Sequence, residues 1–272
     1  MKIMNGLYNL IGILIFAYLV GSFLNVVISR LPIIFKLKES NHDFKTFNLA
    51  LPRSHCPHCQ HILYWWHNIP LLSFVILKGQ CYFCHTPIAK RYFIVELSFI
   101  LLIALCYYQA PSLSIFLSYA LFSALALCIF FIDWETLFIP DILNYLLLWS
   151  GLLINTHGLF CSAQDAIIGA ALGYLGLWGF YHFIYWTSKK EGFGYGDFKL
   201  LAALGAWCGV SELFNILFLA SLLGLILAVV KLKKMGEPIA FGPALCIAGF
   251  LNLVYPQTFN LLNWSRQLFG SG

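Results

Sequence analysis

Charged residues are scarce in this chain of 272 residues: Asp, Glu, Lys and Arg make up 10% of it, whereas hydrophobic residues make up 61%. Soluble domains contain about a quarter charged residues, so the composition excludes an ordinary soluble protein and indicates a membrane protein. Motifs of several enzyme classes are also missing. The chain has no Gly-Lys-Ser/Thr element of a P-loop, no dinucleotide-binding glycine pattern, and no Ser-His or Cys-His pair within a catalytic motif. No basic face is interleaved with aromatic residues, which argues against nucleic-acid binding.

Apolar runs dominate the rest of the sequence. Eight can be distinguished, at about 7–29, 93–109, 112–132, 141–157, 165–186, 198–210, 213–231 and 240–255. A helix needs about 20 apolar residues to cross the hydrocarbon core, and several runs reach that length, although two of the last three are short. We therefore expect an all-α polytopic membrane protein with about eight transmembrane helices. No small-residue cleavage site follows the first run, so we interpret it as an uncleaved anchor rather than a removable signal peptide.

Lys and Arg concentrate on one side of these predicted spans. If the N-terminus faces outward, 14 of the 16 Lys and Arg residues lie in the cytoplasmic segments, and only Lys2 and Arg266 lie outside. Those segments are 30–92, 133–141, 187–199 and 231–239. The asymmetry follows the positive-inside rule and predicts an outward N-terminus. The net charge of +5 then reflects topology and attraction to an anionic inner leaflet.

Four of the nine cysteines form two Cys-X-X-Cys pairs, "CPHC" and "CYFC", with 21 residues between them. They are Cys56, Cys59, Cys81 and Cys84. Two such pairs predict a tetrahedral zinc site, and a reducing cytoplasmic location argues against disulfides. Because four sulfurs close the coordination sphere, we expect a structural ion that helps to fold the loop at 30–92. The other five cysteines are scattered through apolar runs, where a lone cysteine behaves as a small buried hydrophobe.

Histidines surround the paired cysteines in the sequence, namely His55, His58, His61, His67 and His85. One of them could replace a cysteine as ligand. We favour the alternative that they are solvated or support the ligands without binding the ion.

Two short acidic stretches stand at the ends of apolar runs, "FIDWETLFIPD" (131–141) and "GYGDFK" (194–199). Asp133 directly follows a long apolar run, and an ionisable residue at that depth indicates a function. Asp141 follows Pro140, which is ordinary helix-start chemistry. Asp197 follows glycines 192, 194 and 196; its simplest structural interpretation is a helix N-cap, while the glycines leave room for an extended substrate.

The charge distribution places all three aspartates on the same side of the membrane, so two of them can meet. Two adjacent carboxyl groups cannot both ionise easily and share one proton. One then takes a proton from water while the other protonates the carbonyl or the leaving amine. This is the chemistry of an aspartic protease.

Six motifs occur in a characteristic order. They are "GSFLNVVISRLP" (21–32), the double Cys-X-X-Cys, "RYFIVEL" (91–97), "IDWETLFIPD" (132–141), "EGFGYGDFKLLAALGAW" (191–207) and "PIAFGPAL" (238–245). From about residue 10 to about 255 the chain resembles the prepilin peptidase family, also called type IV prepilin leader peptidase/N-methyltransferase, whose members are GxGD aspartyl proteases.

The resemblance implies a bacterial inner-membrane enzyme with two activities. It cleaves the leader of type IV prepilins and type II secretion pseudopilins on the cytoplasmic side, then methylates the new N-terminal residue, usually Phe, with S-adenosylmethionine. The family's catalytic pair falls on Asp133 and Asp197, with Asp141 as an alternative partner. Candidates for the cofactor site are the polar residues of the N-terminal motifs, Asn25, Arg30, Gly79, Arg91 and Glu96.

The resemblance also implies a division of the chain by function. Residues 1–29 form the first transmembrane helix, 30–92 a zinc-binding domain associated with methyl transfer, and 93–272 the transmembrane peptidase.

Two other classes share some of these features. A GxGD protease of the presenilin or signal-peptide-peptidase kind also carries Pro-Ala-Leu on a late span, as residues 243–245 do here, but the paired cysteines and the N-terminal motif argue against it. A transporter would use Asp133 and Asp197 to line a proton route. Transporters often contain inverted repeats, and none is visible in this sequence.

Overall fold

The computed structural model describes residues 7–35, 47–69, 71–189, 194–230 and 239–256. Within these ranges the chain is mostly helical and forms no strand. The described part of the cysteine-containing loop has two isolated β-bridges, between His55 and Ile62 and between Gln80 and Pro87. The helices are α1 (Leu7–Ile34), α2 (Leu72–Ile76), α3 (Lys90–Gln109), α4 (Leu113–Thr136), α5 (Asp141–Asn155), α6 (Ala163–Ser188), α7 (Tyr195–Cys208), α8 (Leu213–Val230) and α9 (Gly242–Val254). Each predicted apolar run thus forms one helix, and the short α2 is additional.

Five stretches among the described residues are long and apolar enough to cross a membrane: Ile11–Ile34, Lys90–Gln109, Leu113–Thr136, Ala163–Thr187 and Val210–Val229. The predicted count of eight is not confirmed. Helices α5, α7 and α9 contain 15, 14 and 13 residues, which makes them about 20–23 Å long against a core of about 30 Å. Helix α7 is covered by protein along most of its length, so its length need not match the lipid.

Helix α6 begins with a side-chain N-cap. The N-cap is Ser162, whose hydroxyl accepts a hydrogen bond from the amide of Asp165 at 3.0 Å and donates to its carboxylate at 2.7 Å. The acid in the first turn suits the positive end of the helix dipole.

The contacts of the chain divide it into two compact units, Met1–Cys128 and Ile129–Gly272. In the first unit α1 packs against α3, and Ile28, Phe99 and Ile103 are fully buried. These helices belong together by packing, whereas the predicted boundaries at 29 and 92 concern function and stay a prediction.

In the second unit α7 is the central helix, packed against α5, α6 and α9. Its contact with α6 depends on glycines. A Cβ added at Gly169 would lie 2.5 Å from the carbonyl oxygen of Gly205, and one at Gly173 would lie 2.8 Å from that of Leu201. Small residues that bring two backbones together are typical of helix packing in membranes. This contact fixes the position of α7, and with it the position of Asp197.

Candidate active site and metal centre

The two Cys-X-X-Cys turns have the same backbone geometry. In each, the amide of the first cysteine donates to the carbonyl five residues later, at 3.0 Å for Cys56 and 2.9 Å for Cys81. The residue after the second cysteine has a positive φ in both turns, 58° at Gln60 and 54° at His85. The repeated turn gives each pair of thiols the same local geometry.

The four thiols form one cluster, with all their Sγ atoms within 4.8 Å of one another. The Sγ atoms of Cys56 and Cys84 are 3.8 Å apart, and a tetrahedral zinc with Zn–S bonds of about 2.3 Å requires sulfurs about 3.8 Å apart. All four are free cysteines. The hydroxyl of Thr86 lies 3.2 Å from Cys84 Sγ, within hydrogen-bonding distance of that sulfur. The cluster can therefore hold a metal ion, and its donor set fits zinc.

Among the described residues the cluster contains only cysteine side chains, and no histidine is part of it. His67 is buried, its Nδ1 accepts a hydrogen bond from the amide of Tyr64 at 3.2 Å, and burial lowers its pKa. His61 stacks on Phe83 with ring centroids 4.4 Å apart. These two imidazoles help to pack the loop.

Asp197 is the third residue of α7 and is 9% exposed. The interpretation of Asp197 as an N-cap is wrong, because the helix begins at Tyr195 and Gly194 is the N-cap. The backbone N–H of Gly194 donates to the Asp197 carboxyl group, as in the acidic half of a capping box. Of the neighbouring glycines, Gly192 lies outside the described residues.

Asp133 lies in the last turn of α4 and is 4% exposed. Its Oδ2 accepts a hydrogen bond of 3.0 Å from the amide of Gly242. Gly242 is the first residue of α9, whose N-terminus carries the positive end of the helix dipole. A Cβ at Gly242 would lie 2.7 Å from Asp133 Oδ2. A side chain at this position would therefore displace the carboxylate or the backbone and disturb this hydrogen bond.

The two buried aspartates share one apolar environment. The side chain of buried Ile139 packs against the backbone beside each aspartate. A Cβ added at Gly196, next to Asp197, would lie 3.1 Å from this side chain, and one added at Gly242, which binds Asp133, would lie 3.0 Å from it. Asp133 and Asp197 lie within electrostatic range of each other. When two carboxyl groups lie near each other in such surroundings, a second negative charge is costly, which favours protonation of one of them. The arrangement can both activate a water molecule and donate a proton.

Asp141 has a different environment. Its side chain is 52% exposed, and both carboxylate oxygens lie 2.7 Å from Nζ of Lys199. An exposed acid that is neutralised by a lysine is poorly suited to proton transfer in a buried pair. The geometry thus favours Asp133 over Asp141 as the partner of Asp197.

Polar contacts also join α5 to α7. The side-chain amide of buried Asn144 donates to the carbonyl of Gly196 at 3.2 Å, and Trp207 Nε1 donates to the carbonyl of Leu147 at 2.8 Å. No role was predicted from the sequence for Asn144, Ile139 or Gly242. Gly242 had a signal, since it lies in the motif "PIAFGPAL", where a glycine precedes a proline at a helix start.

The N-terminal cofactor candidates do not form one group. Asn25 on α1 and Glu96 on α3 meet, with Nδ2 3.1 Å from Oε1. Arg30 donates instead to two backbone carbonyls, those of Asn48 at 2.8 Å and Pro52 at 2.7 Å.

The other two candidates have contacts of their own. Gly79 has a φ of 70°, and a Cβ there would lie 3.1 Å from the ring of Phe74. The guanidinium of Arg91 lies 5.1 Å from the ring centroid of Tyr92. The turn therefore requires a glycine at position 79, which also remains a predicted residue of the cofactor site.

Known proteins resemble this chain over nearly its whole length. Residues 15–110 match the family described as Bacterial Peptidase A24 N-terminal domain, and residues 120–229 match the Type IV leader peptidase family. Relatives named Prepilin leader peptidase/N-methyltransferase in Stutzerimonas stutzeri, Aeromonas hydrophila and Pseudomonas aeruginosa are 42%, 42% and 41% identical to it. The matches cover 93%, 89% and 87% of this chain and the same shares of the relatives. The chain belongs to the prepilin leader peptidase/N-methyltransferase family. No solved structure matches it.

The predicted family is therefore confirmed, and the presenilin-like and transporter alternatives gain no support from the relatives. The N-terminal family match contains the cysteine cluster, Asn25 and Glu96, and the second match contains Asp133, Asp141 and Asp197. The roles of these individual residues stay predictions. Gly242 lies beyond the second match, although its amide contacts Asp133.

The cysteine cluster generates a prediction about metal content. Purified protein should contain about one zinc ion per chain, as a four-ligand site requires. Replacing Cys84 by Ser removes one thiolate and should lower the zinc content and expose residues 50–90 to protease. The matched control is Cys161→Ser, a free cysteine outside the cluster, which should keep its zinc. Full zinc occupancy in the Cys84→Ser protein would show that another group is the ligand.

The glycine beside Asp133 generates a second prediction. In Gly242→Ala the added methyl group meets Asp133 Oδ2 and displaces the carboxylate, so leader cleavage should slow by about 10²-fold, the cost of a displacement near 1 Å. The control is Gly179→Ala on α6, where nothing lies within 4 Å of the added Cβ. Rates are measured on a purified prepilin, together with the melting temperature of each variant. Normal cleavage by Gly242→Ala would show that this hydrogen bond does not position Asp133.

Proposed function

We propose that this protein removes the leader peptide of type IV prepilins and type II secretion pseudopilins, and then methylates the new N-terminal residue, usually Phe. The relatives' shared name, Prepilin leader peptidase/N-methyltransferase, supports both activities. The observation that carries the peptidase activity is the burial of Asp133 and Asp197 within electrostatic range of each other. Their chemistry is that of an aspartic endopeptidase.

Hydrolysis by this pair needs one ionised and one protonated carboxyl group. The ionised aspartate takes a proton from a water molecule, whose oxygen attacks the scissile carbonyl carbon. The protonated aspartate donates to the carbonyl oxygen and, as the C–N bond breaks, a proton passes to the leaving amine. The backbone amides of Gly242 and Gly194 hold the two carboxyl groups in place. Neither residue forms a covalent bond to the substrate.

The proposed location is the bacterial inner membrane, with a multi-pass topology, an outward N-terminus and a cytoplasmic active face. The distribution of Lys and Arg supports this orientation. Part of the cytoplasmic charge falls on residues 36–46, 190–193 and 231–238, which lie outside the described residues. In this proposal α5, α7 and α9 join the five longer helices within the membrane and bring the count to eight.

The cysteine cluster holds a structural zinc ion in this proposal. Zinc bound by four thiolates leaves no open position for substrate, so it stabilises the loop at 30–92 rather than acting in catalysis. Four thiolates on Zn²⁺ carry a net charge of about −2, and Arg53, Lys78, Lys90 and Arg91 are close in sequence to offset it.

Methyl transfer uses S-adenosylmethionine, which supplies an electrophilic methyl group. The proposed residues for this half are those predicted from the N-terminal motifs, and among them Asn25 and Glu96 form one buried polar cluster. Cleavage must come first, because the nitrogen of the intact peptide bond is an amide and a poor nucleophile. The two reactions then require different residues of this chain.

The separation of the two reactions gives a prediction for the aspartates. Asp133→Asn and Asp197→Asn should each lower cleavage by about 10³-fold or more, because an amide cannot exchange the proton. Both proteins should still methylate a pre-cleaved pilin. The matched control is Asp141→Asn, which changes an exposed acid and should leave cleavage within a few-fold of normal. Leader loss is followed by gel, and methylation by transfer of label from radioactive S-adenosylmethionine.

Two results would contradict this account. Near-normal cleavage by Asp133→Asn would remove it from the pair and favour Asp141. Loss of both activities in every folded aspartate variant would indicate a single fused site.

A further inference from the structure

Glu96 is a buried carboxyl group that the peptidase chemistry does not use. It lies on α3 and is 9% exposed. Its Oε1 accepts from Asn25 Nδ2 at 3.1 Å, and its Oε2 accepts from the amide of Leu71 at 2.8 Å. Both donors are neutral, and among the described residues Glu96 has no lysine or arginine partner. Buried acids are ordinarily paired with a cation, so an arriving cation would complete this site.

Asn25 adds an open acceptor beside that carboxyl group. Asn25 is 4% exposed, and its Nδ2 donates both to Glu96 and to the carbonyl of Tyr92 at 3.0 Å. These two acceptors fix the orientation of the amide, because a flipped amide would point its oxygen at two other oxygens. Asn25 Oδ1 is buried and has no hydrogen-bond partner. An unmet acceptor of this kind costs free energy unless a ligand donates to it.

The surrounding backbone holds this cluster in place. Helices α1 and α3 touch at this level, since a Cβ at Gly21 would lie 3.6 Å from the Cα of Glu96. Leu71, which donates to Glu96, has a φ of 52° and a ψ of −51°. A positive φ is unfavourable for leucine and persists only where the surroundings enforce it. Two separate chain segments, α1 and the turn at Leu71, therefore converge on one carboxyl group of α3.

We propose that Glu96 and Asn25 bind the newly formed N-terminal amine of the cleaved pilin, which enters as an ammonium group. The inference rests on the proposed function and names the group that this part of the methyl-transfer site recognises. The ammonium donates one hydrogen bond to the Glu96 carboxylate and one to Asn25 Oδ1. It supplies both the missing positive charge and the missing donor.

Glu96 then prepares the amine for reaction. An N–H bond of the ammonium breaks and an O–H bond forms on Glu96, which leaves a neutral amine with a free lone pair. That lone pair attacks the sulfonium methyl group, so an N–C bond forms and the C–S bond breaks, with its electron pair passing to sulfur. The methylated amine carries away the positive charge of the former sulfonium, and Glu96 releases its proton to solvent, which restores the carboxylate. The methyl donor is the only other reactant.

The methyl donor offers two positive groups of its own, and both fit this cluster less well. Its sulfonium has no hydrogen to donate to Asn25 Oδ1. Its amino-acid end carries an ammonium, but the adjoining carboxylate would be brought close to Glu96, where like charges repel. The pilin amine has no such neighbouring acid group, because its carbonyl is part of a peptide bond.

The test measures amine recognition without methyl transfer. Full-length protein in detergent is titrated, in the absence of methyl donor, with a fluorescent peptide of the mature pilin N-terminus that carries either a free or an acetylated amine. Wild-type protein should prefer the free amine by about 10-fold or more, as expected for a charge-assisted hydrogen bond. Glu96→Gln should abolish the preference, and Asn25→Leu should reduce it several-fold.

The matched control is Glu212→Gln. Glu212 also accepts a hydrogen bond from an asparagine side chain, Asn215, at 2.8 Å, and it lies in the other unit of the chain. This variant should keep the wild-type preference. Zinc content and prepilin cleavage show that each variant is folded, and binding of S-adenosylmethionine, measured separately, should be unchanged in Glu96→Gln.

Three outcomes would overturn the proposal. They are an unchanged amine preference in Glu96→Gln, an unchanged preference in Asn25→Leu, or a selective loss of S-adenosylmethionine binding in Glu96→Gln, which would assign the cluster to the methyl donor. Failure of the proposed function is distinguishable, because wild-type protein would then neither cleave a prepilin nor methylate the product.

Discussion

The enclosure of two acids in an apolar interior is the constraint on which the peptidase unit depends. An ionised carboxyl group in such surroundings is costly unless it is hydrogen-bonded, and a second one beside it is costlier. Both acids are held by backbone amides at helix starts, Asp133 by Gly242 of α9 and Asp197 by Gly194 before α7. The N-terminus of α7 therefore lies at Asp197, and the N-terminus of α9 lies at the carboxylate of Asp133. This explains why glycines occupy their first turns, where a side chain would meet Asp133 or Ile139.

The position of Asp197 then depends on how α7 is packed. The glycine contact with α6 fixes the helix on one side, and the hydrogen bonds from Asn144 and Trp207 fix it against α5 on the other. In our proposal, methyl transfer depends on separate residues in the first unit. There the repeated cysteine turns order the loop, and Asn25 and Glu96 provide a buried polar cluster on two packed helices.

Local patterns in the sequence predicted the features that depend on local residues. Apolar runs predicted the long helices, and cysteine spacing predicted the cysteine cluster. The position of single acids beside apolar runs singled out Asp133 and Asp197 as candidate functional residues. Hydropathy did not predict how many helices have spanning length, because an apolar residue covered by protein and one covered by lipid look alike. The roles of Gly242 and Ile139 also escaped prediction. The hydrogen bond between Gly242 and Asp133 joins residues 109 positions apart, and sequence spacing does not predict a contact over that separation.

The most direct test of the paired aspartates is the binding of a prepilin peptide in which a secondary alcohol replaces the scissile amide. The hydroxyl group imitates the tetrahedral intermediate and needs both carboxyl groups at once. Wild-type protein and Asp141→Asn should bind this peptide at least about 10²-fold more tightly than the matching uncleaved substrate. Asp133→Asn and Asp197→Asn should each lose that advantage. Equal, tight binding by wild-type protein and Asp133→Asn would contradict the account.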